Sequence, residues 1–257
     1  MSLLEVKNLK TYFFTPFGKV KAVDDISFTM KKGASLGLAG ESGCGKTTTA
    51  YSLINLVPLP GRIIGGEINF KGEDILQYND KQTKDLRWKE ISMVFQGAMA
   101  SLNPLFKIGN QIAEPIIYHE QIDKNDAMDR ARELLELVGI EQSRVDNYPW
   151  ELSGGMRQRA MIAMALACYP TLLIADEPTT ALDVIVSAQV MDLIKDLRKK
   201  LDLSMLLITH DISVIAQTCD ELAIMYAGKL VEKTDVPSIF DNPLHPYSHA
   251  LIRAFPS

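Results

Sequence analysis

Eight residues, Gly40-Glu41-Ser42-Gly43-Cys44-Gly45-Lys46-Thr47, have the form G-x-x-x-x-G-K-[ST], a spacing that builds a cradle for phosphate. Glycines at 40, 43 and 45 let the backbone turn its N–H groups inward around an anion, where a Cβ would obstruct. A helix beginning after Lys46 adds the positive end of its dipole. Lys46 would reach the β- and γ-phosphates of a nucleoside triphosphate. Thr47 would place its hydroxyl on Mg²⁺, with Thr48 next to it in the first turn. A second constellation lies downstream, where the apolar run Leu172-Leu173-Ile174-Ala175 ends in Asp176 and Glu177. Two adjacent carboxylates are usually a solvated turn. Here an apolar strand precedes them and Pro178 follows, which puts them at the carboxyl end of a buried strand, where an open parallel sheet binds ligands. Asp176 would hold Mg²⁺ through water. Glu177 would polarise an attacking water in line with the γ-phosphate. Gln96 follows another buried strand, Ile91 to Phe95, and its amide oxygen could contact Mg²⁺ and the same water. A third constellation is Leu152-Ser153-Gly154-Gly155-Met156-Arg157-Gln158-Arg159. Ser153, Gly154 and Gly155 open a helix whose N–H groups and dipole form a second anion site.

The elements that must carry these groups follow from periodicity. The first thirty-odd residues alternate apolar and polar in short runs, Leu4-Glu5-Val6 and Ile26-Ser27-Phe28-Thr29-Met30, and Lys32-Gly33 supplies a turn, so antiparallel strands are expected. Ser35 to Ala39 is a buried strand that feeds the phosphate loop, and Thr47 to Leu56 is the helix after it. Gly65 to Gly72 reads as a short strand ending in a turn. Ala127 to Val138 carries the i, i+3, i+4, i+7 stripe of an amphipathic helix, and Ser153 can cap a helix running to Ala167. The stretch from about Gly97 to Ala167 thus reads as a helical insertion. Beyond it come a strand at Leu172–Ala175, a helix at Val184–Leu201 with Asp183 as its N-cap, a strand at Ser204–Ile208, and a proline-punctuated tail from Pro237.

Composition excludes several function classes. The 257 residues suffice for one sizeable core with a subdomain, and 47% hydrophobic with 23% charged residues is ordinary for a globular protein. A net charge of −5 gives no reason to expect nucleic acid as partner. The longest apolar stretch, Met161 to Ala175, is interrupted by Pro170 and falls short of the ~20 residues of a membrane span. Glu5 and Lys7 interrupt any N-terminal signal pattern. Of three cysteines, Cys44 lies in the phosphate loop, while Cys168 and Cys219 lack metal-ligand spacing. A reduced, cytoplasmic protein is expected, with any membrane role coming through a partner chain.

An L-S-G-G-x-x-Q-R segment between a phosphate loop and a strand-end carboxylate pair resembles the ATP-binding cassette (ABC) ATPases, over nearly the whole chain. The resemblance implies an α/β P-loop NTPase: a RecA-like core with an N-terminal antiparallel β subdomain (1–96 and 168–236), an inserted α-helical subdomain bearing the signature segment (97–167) and a C-terminal tail (237–257). It implies that Gln96 is the Q-loop residue, that His210, 34 residues after Asp176, is the switch histidine on the γ-phosphate, and that Asp183 of Ala181-Leu182-Asp183 belongs to the D-loop. An aromatic near the N-terminus would stack on adenine. Tyr12, Phe13 and Phe14 compete, with Phe13 favoured and Tyr12 second. The signature residues Ser153, Gly154, Gly155 and Gln158 would face the ATP of a partner cassette, so that two chains meet head to tail around two ATPs. Gly61 to Gly66, Ala100 to Pro104 and Asn242-Pro243-Leu244-His245-Pro246-Tyr247 narrow the resemblance to ATPases of oligopeptide, dipeptide and nickel importers, a branch that also serves oligosaccharides. The implied reading is an ATP- and Mg²⁺-dependent subunit at the cytoplasmic face of the membrane. It would work with a second ATPase subunit, two permease chains and, indirectly, a solute-binding protein. The alternatives are another solute of the branch, or a soluble ABC protein of translation or DNA maintenance. Two departures stand out. Members of the branch run on past the His-Pro-Tyr segment into a cysteine-bearing region with an iron–sulfur cluster, whereas no cysteine follows Cys219 here; the tail would lead into such an extension or this member lacks it, and no cluster is assigned. Gln96-Gly97-Ala98-Met99 also stands where Gln-Asp-Pro-Met is usual.

Overall fold

The computed structural model describes residues 2–97 and 101–254. In chain order the elements are β1 (Ser2–Thr15), β2 (Gly18–Lys31), β3 (Ser35–Ala39), α1 (Lys46–Leu53), β4 (Gly61–Phe70), β5 (Glu73–Asp74), α2 (Asp80–Lys89), β6 (Ile91–Val94), α3 (Ile108–Glu120), α4 (Lys124–Leu137), α5 (Gly154–Ala165), β7 (Leu172–Asp176), α6 (Val184–Lys200), β8 (Ser204–Ile208), α7 (Ile212–Thr218), β9 (Glu221–Tyr226), β10 (Lys229–Asp235), α8 (Val236–Asp241) and α9 (Pro246–Arg253). Two compact units result, Met1–Lys84 with Ser204–Ser257, and Asp85–Leu203.

In the first unit an antiparallel sheet runs β2-β1-β4-β5. Leu4 pairs with Met30 and Phe70, and Val6 with Phe28 and Ile68, so one face of the sheet is apolar and buried. The strands are much longer than the short runs of the sequence suggested, because each of the 14-residue strands β1 and β2 finds a full-length partner in the other. The parallel strands of this unit set β3 between β8 and β9, with Leu38 paired to Ile208 on one side and Ala223 on the other. Every residue of β3 and β8 is buried, as expected of strands covered on both faces. A buried hydroxyl pair, Thr11 Oγ1 and Ser52 Oγ at 2.8 Å, ties α1 to β1.

In the second unit β6 and β7 pair in parallel, Ile91 with Leu172 and Val94 with Ala175. Helices α3, α4 and α5 form the helical part, with Ile112, Ile116, Leu134, Leu135 and Ile162 fully buried. Among the described residues no helix is long and apolar enough to cross a membrane.

Two sequence expectations are corrected, the end of α1 and the start of β4. α1 ends at Leu53 and not Leu56, since Asn55 adopts the left-handed conformation (φ 49°) that stops a helix. β4 starts at Gly61 and not Gly65, because Tyr12 and Phe13 of β1 pair with Arg62 and Gly61. The proline-punctuated tail forms α8 and α9. Pro237 and Pro246 stand in first turns, where a missing N–H costs nothing, and the Asp235 and His245 side chains cap the two helices by accepting the N–H of Ser238 (3.0 Å) and Tyr247 (3.1 Å). The Ala98-Met99 departure and the first residue of the Ala100–Pro104 segment lie outside the described residues.

Candidate functional site

In the first unit the phosphate loop leaves the buried end of β3. Gly40 has φ +146°, and a Cβ there would lie 2.2 Å from the Met225 carbonyl oxygen. Gly45 caps α1 with φ +111°, and its Cβ would meet the Ala22 carbonyl at 2.1 Å. Glycine is therefore required at both positions by conformation and by space. Lys46 is 6% exposed, and its Nζ donates to the carbonyls of Gly40 (2.7 Å) and Glu41 (2.9 Å). A buried ammonium needs such acceptors, and triphosphate oxygens offer stronger, charged ones. Thr47 and Thr48 are half-exposed on the first turn, while Ser42 and Gly43 are exposed at the loop's tip. Cys44 is buried, which pushes its thiol pKa up, and its N–H closes the loop onto the Glu41 carbonyl at 3.2 Å. The Glu41 N–H donates to the Tyr247 hydroxyl at 3.3 Å.

His210 stands exposed after β8 in a tight turn, where the Asp211 N–H donates to Thr209 Oγ1 at 3.1 Å and the Asp211 carboxylate caps α7. The three aromatics of β1 separate by environment. Tyr12 is 6% exposed and donates its hydroxyl to Asp24 Oδ1 at 2.5 Å. Phe13 is half-buried beside Gly61, and Phe14 is exposed with the Arg62 guanidinium 5.0 Å from its ring centroid.

In the second unit Asp176 closes β7 and is wholly buried. Glu177 follows in the left-handed region, φ 45°, a conformation of real cost for a non-glycine residue. Its Oε2 accepts two hydrogen bonds, from Gln96 Nε2 and from Thr180 Oγ1, both at 2.9 Å. The structure thus brings Gln96 and Glu177 into direct contact across the ends of β6 and β7. Thr180 was not picked out from the sequence; its position three residues after Glu177, in a turn closed by the Thr180 N–H on the Glu177 carbonyl (3.2 Å), is the signal that could have found it.

Ser153 caps α5, accepting the Met156 N–H at 3.3 Å, and Asp183 caps α6, accepting the Val186 N–H at 2.9 Å. Ser153, Gly154, Gly155, Asp183, Val186 and Gln189 line one cleft of about 470 Å³. A Cβ at Gly155 would lie 2.7 Å from Val186 Cγ1, which sets how close the two helices can come. Gln158, grouped with them from the sequence, is 2% exposed, whereas Ser153 is exposed at the start of α5.

The sequence model of the ABC transporter family matches residues 23–180. The chain is 50% identical over 258 residues to the oligopeptide transport ATP-binding protein OppD of Bacillus subtilis (strain 168), covering 99% of this chain and 72% of that one. The chain belongs to the ABC transporter family. It is also 44% identical over 258 residues to the dipeptide transport ATP-binding protein DppD of Escherichia coli (strain K12), covering 100% of this chain and 79% of that one. Among solved structures, the dimeric ATP-binding cassette MJ0796 bound to ADP and Pi superposes with a TM-score of 0.79 at 26% identity, covering 91% of this chain and 98% of that one. CbiO1 from Clostridium perfringens, part of the cbiONQ complex, does so with a TM-score of 0.80 at 25% identity, over 94% of this chain and 91% of that one. The fold is the α/β P-loop NTPase fold of these cassettes, and the chain is an ATPase of the ABC family.

Proposed function

We propose that this chain is the ATP-hydrolysing subunit of an importer for dipeptides or oligopeptides, acting at the cytoplasmic face of the membrane on two separate permease chains. The observation that carries the catalytic part is the Glu177 carboxylate, held at one oxygen by Gln96 and Thr180 (2.9 Å each) directly after the buried Asp176. Glu177 takes the proton of the attacking water; Gln96 and Thr180 orient its carboxylate; Lys46 and the loop amides hold the β- and γ-phosphates; His210 contacts the γ-phosphate; Phe13 stacks on adenine. The expected metal donors are the Thr47 hydroxyl, the Gln96 amide oxygen and the Asp176 carboxylate. All are hard oxygens, which suit Mg²⁺. When bound, that ion neutralises charge on the phosphates. Ser153, Gly154 and Gly155 offer a second anion site to the ATP of a partner cassette. Residues 1–96 and 168–236 are the nucleotide-binding core with its β subdomain, 97–167 the helical subdomain and 237–257 the tail. Peptide as solute is supported by the identity, over nearly the whole chain, to relatives named for oligopeptide and dipeptide transport.

The test is isolation of the chain from its native membrane, followed by reconstitution in liposomes. Two membrane proteins should copurify, and labelled di- and tripeptides should accumulate only with ATP and only with intact Glu177. Copurification with ribosomes or DNA, or peptide-independent accumulation of a sugar or nickel, would overturn the reading of its partners or of its solute.

A further inference from the structure

The Asn242–Tyr247 segment links α8 to the first turn of α9. Its course in the first unit is fixed by Glu232 of β10, whose carboxylate accepts the N–H groups of Leu244 and His245, both at 2.9 Å. Burial alone would raise the Glu232 pKa, but these two amides and the Ser248 hydroxyl outweigh it and hold the carboxyl below the ordinary range. His245 Nδ1 then accepts the Tyr247 N–H at 3.1 Å, which sets the first turn of α9. The Tyr247 ring rests against Tyr226, with centroids 4.5 Å apart and planes tilted by 43°. From that seat its hydroxyl reaches the phosphate loop and accepts the Glu41 N–H at 3.3 Å. Burial pushes the hydroxyl's pKa up, so it remains a neutral phenol.

The bonded amide belongs to the Gly40–Glu41 peptide. In a trans peptide the N–H and C=O point in opposite directions. The hydroxyl therefore holds one end of the plane, and the other end, the Gly40 carbonyl, accepts Lys46 Nζ at 2.7 Å. Gly40 sits at φ +146°, a conformation that glycine alone adopts readily, and the hydroxyl adds a second hold on its peptide. We propose that Tyr247 is a positioning residue of the ATP site: it fixes the Gly40–Glu41 peptide plane and, through the Gly40 carbonyl, the place of the Lys46 ammonium. This rests on the reading that Lys46 grips the triphosphate.

The test measures ATP affinity by calorimetry in a Glu177→Gln background, where nucleotide is not consumed. Tyr247→Phe keeps the ring on Tyr226 and removes only the oxygen. It should weaken ATP binding about three- to tenfold, the worth of one hydrogen bond, while shifting Tm by no more than about 2 °C. In a Lys46→Ala background the same change should alter affinity by less than about 1.5-fold, because the two act in series. A purely structural role would lower Tm and weaken binding equally with or without Lys46. Unchanged affinity in Tyr247→Phe, or a full loss in the Lys46→Ala background, would overturn the proposal. If the Glu177→Gln parent binds no ATP at all, the underlying reading of the loop fails, and this one with it.

Discussion

Gln96 and Glu177, 81 residues apart in sequence, meet through a 2.9 Å hydrogen bond in which the amide donates and the carboxylate accepts. The donor is the nitrogen of Gln96, which leaves its amide oxygen out of this bond. Thr180 Oγ1 donates to the same carboxylate oxygen at 2.9 Å. Two side chains from different parts of the second unit thus converge on one carboxylate oxygen.

Removing the base should affect turnover and spare binding. Glu177→Gln is expected to lower kcat by about 10²–10⁴-fold, the range for a general base, with ATP affinity within severalfold of the parent. Thr180→Val, which removes one of the two orienting donors, should lower kcat by about three- to tenfold with KM for ATP unchanged. Steady-state ATPase assays check both, and near-parental turnover in Glu177→Gln would reject the base assignment.

Ser153 should matter more to association than to stability. Ser153→Ala loses a helix cap worth about 1 kcal/mol, a small change in Tm. Ser153→Arg places a bulky cation where a second nucleotide's phosphate would sit. On a Glu177→Gln background, ATP should convert the chain to a dimer on sizing chromatography, and Ser153→Arg should abolish that shift. A dimer that survives Ser153→Arg would show that the signature loop is not at the shared surface.

The hairpin of the first unit carries an acid-sensitive contact. The Tyr12 hydroxyl, at 2.5 Å, is the main cause that lowers the Asp24 carboxyl to about 2, with Lys229 Nζ at 3.2 Å and Lys21 Nζ at 3.5 Å assisting. A carboxyl depressed in the folded state contributes stability that is fully present above its unfolded pKa of 3.8 and is lost as pH falls through about 2. Between about pH 4 and pH 2, Asp24→Asn should show a flatter dependence of Tm on pH than the parent, by circular dichroism. Parallel curves would remove Asp24 from the account.

Legibility in the sequence tracked how local the determining physics is. β8 and the boundaries of β3 were readable to the residue, because five consecutive apolar or small residues between turn signals leave few alternatives. The Asp183 cap on α6 was readable for the same reason, since a cap acts within three residues. Tyr12 and Phe13 could not be ranked from alternation, because β1 shifts register between Thr11 and Phe13 and buries Thr11 and Tyr12 together. The burial of Gln158 and the bond from the Glu41 amide to Tyr247 depend on neighbours that approach only in the fold, the latter 206 residues away. Thr180 belongs with these, its significance arising only once Gln96 arrives on the other side of Glu177.

The near-contact of Gly155 with Val186 makes the two helix starts of the second unit a matched pair of alleles. A methyl group added at 155 would collide with Val186 Cγ1, 2.7 Å from where it would sit, and would wedge α5 away from α6. Gly155→Ala should therefore behave as a loss-of-function allele that Val186→Ala suppresses within the same gene, since deleting the valine methyls clears the space. Growth on the transported solute as sole nitrogen source reads the outcome. Suppression by Val186→Ala but not by Gln189→Ala would mark the spacing of the Ser153 and Asp183 caps as the heritable quantity. If neither suppresses, the defect of Gly155→Ala lies in the first turn of α5 itself.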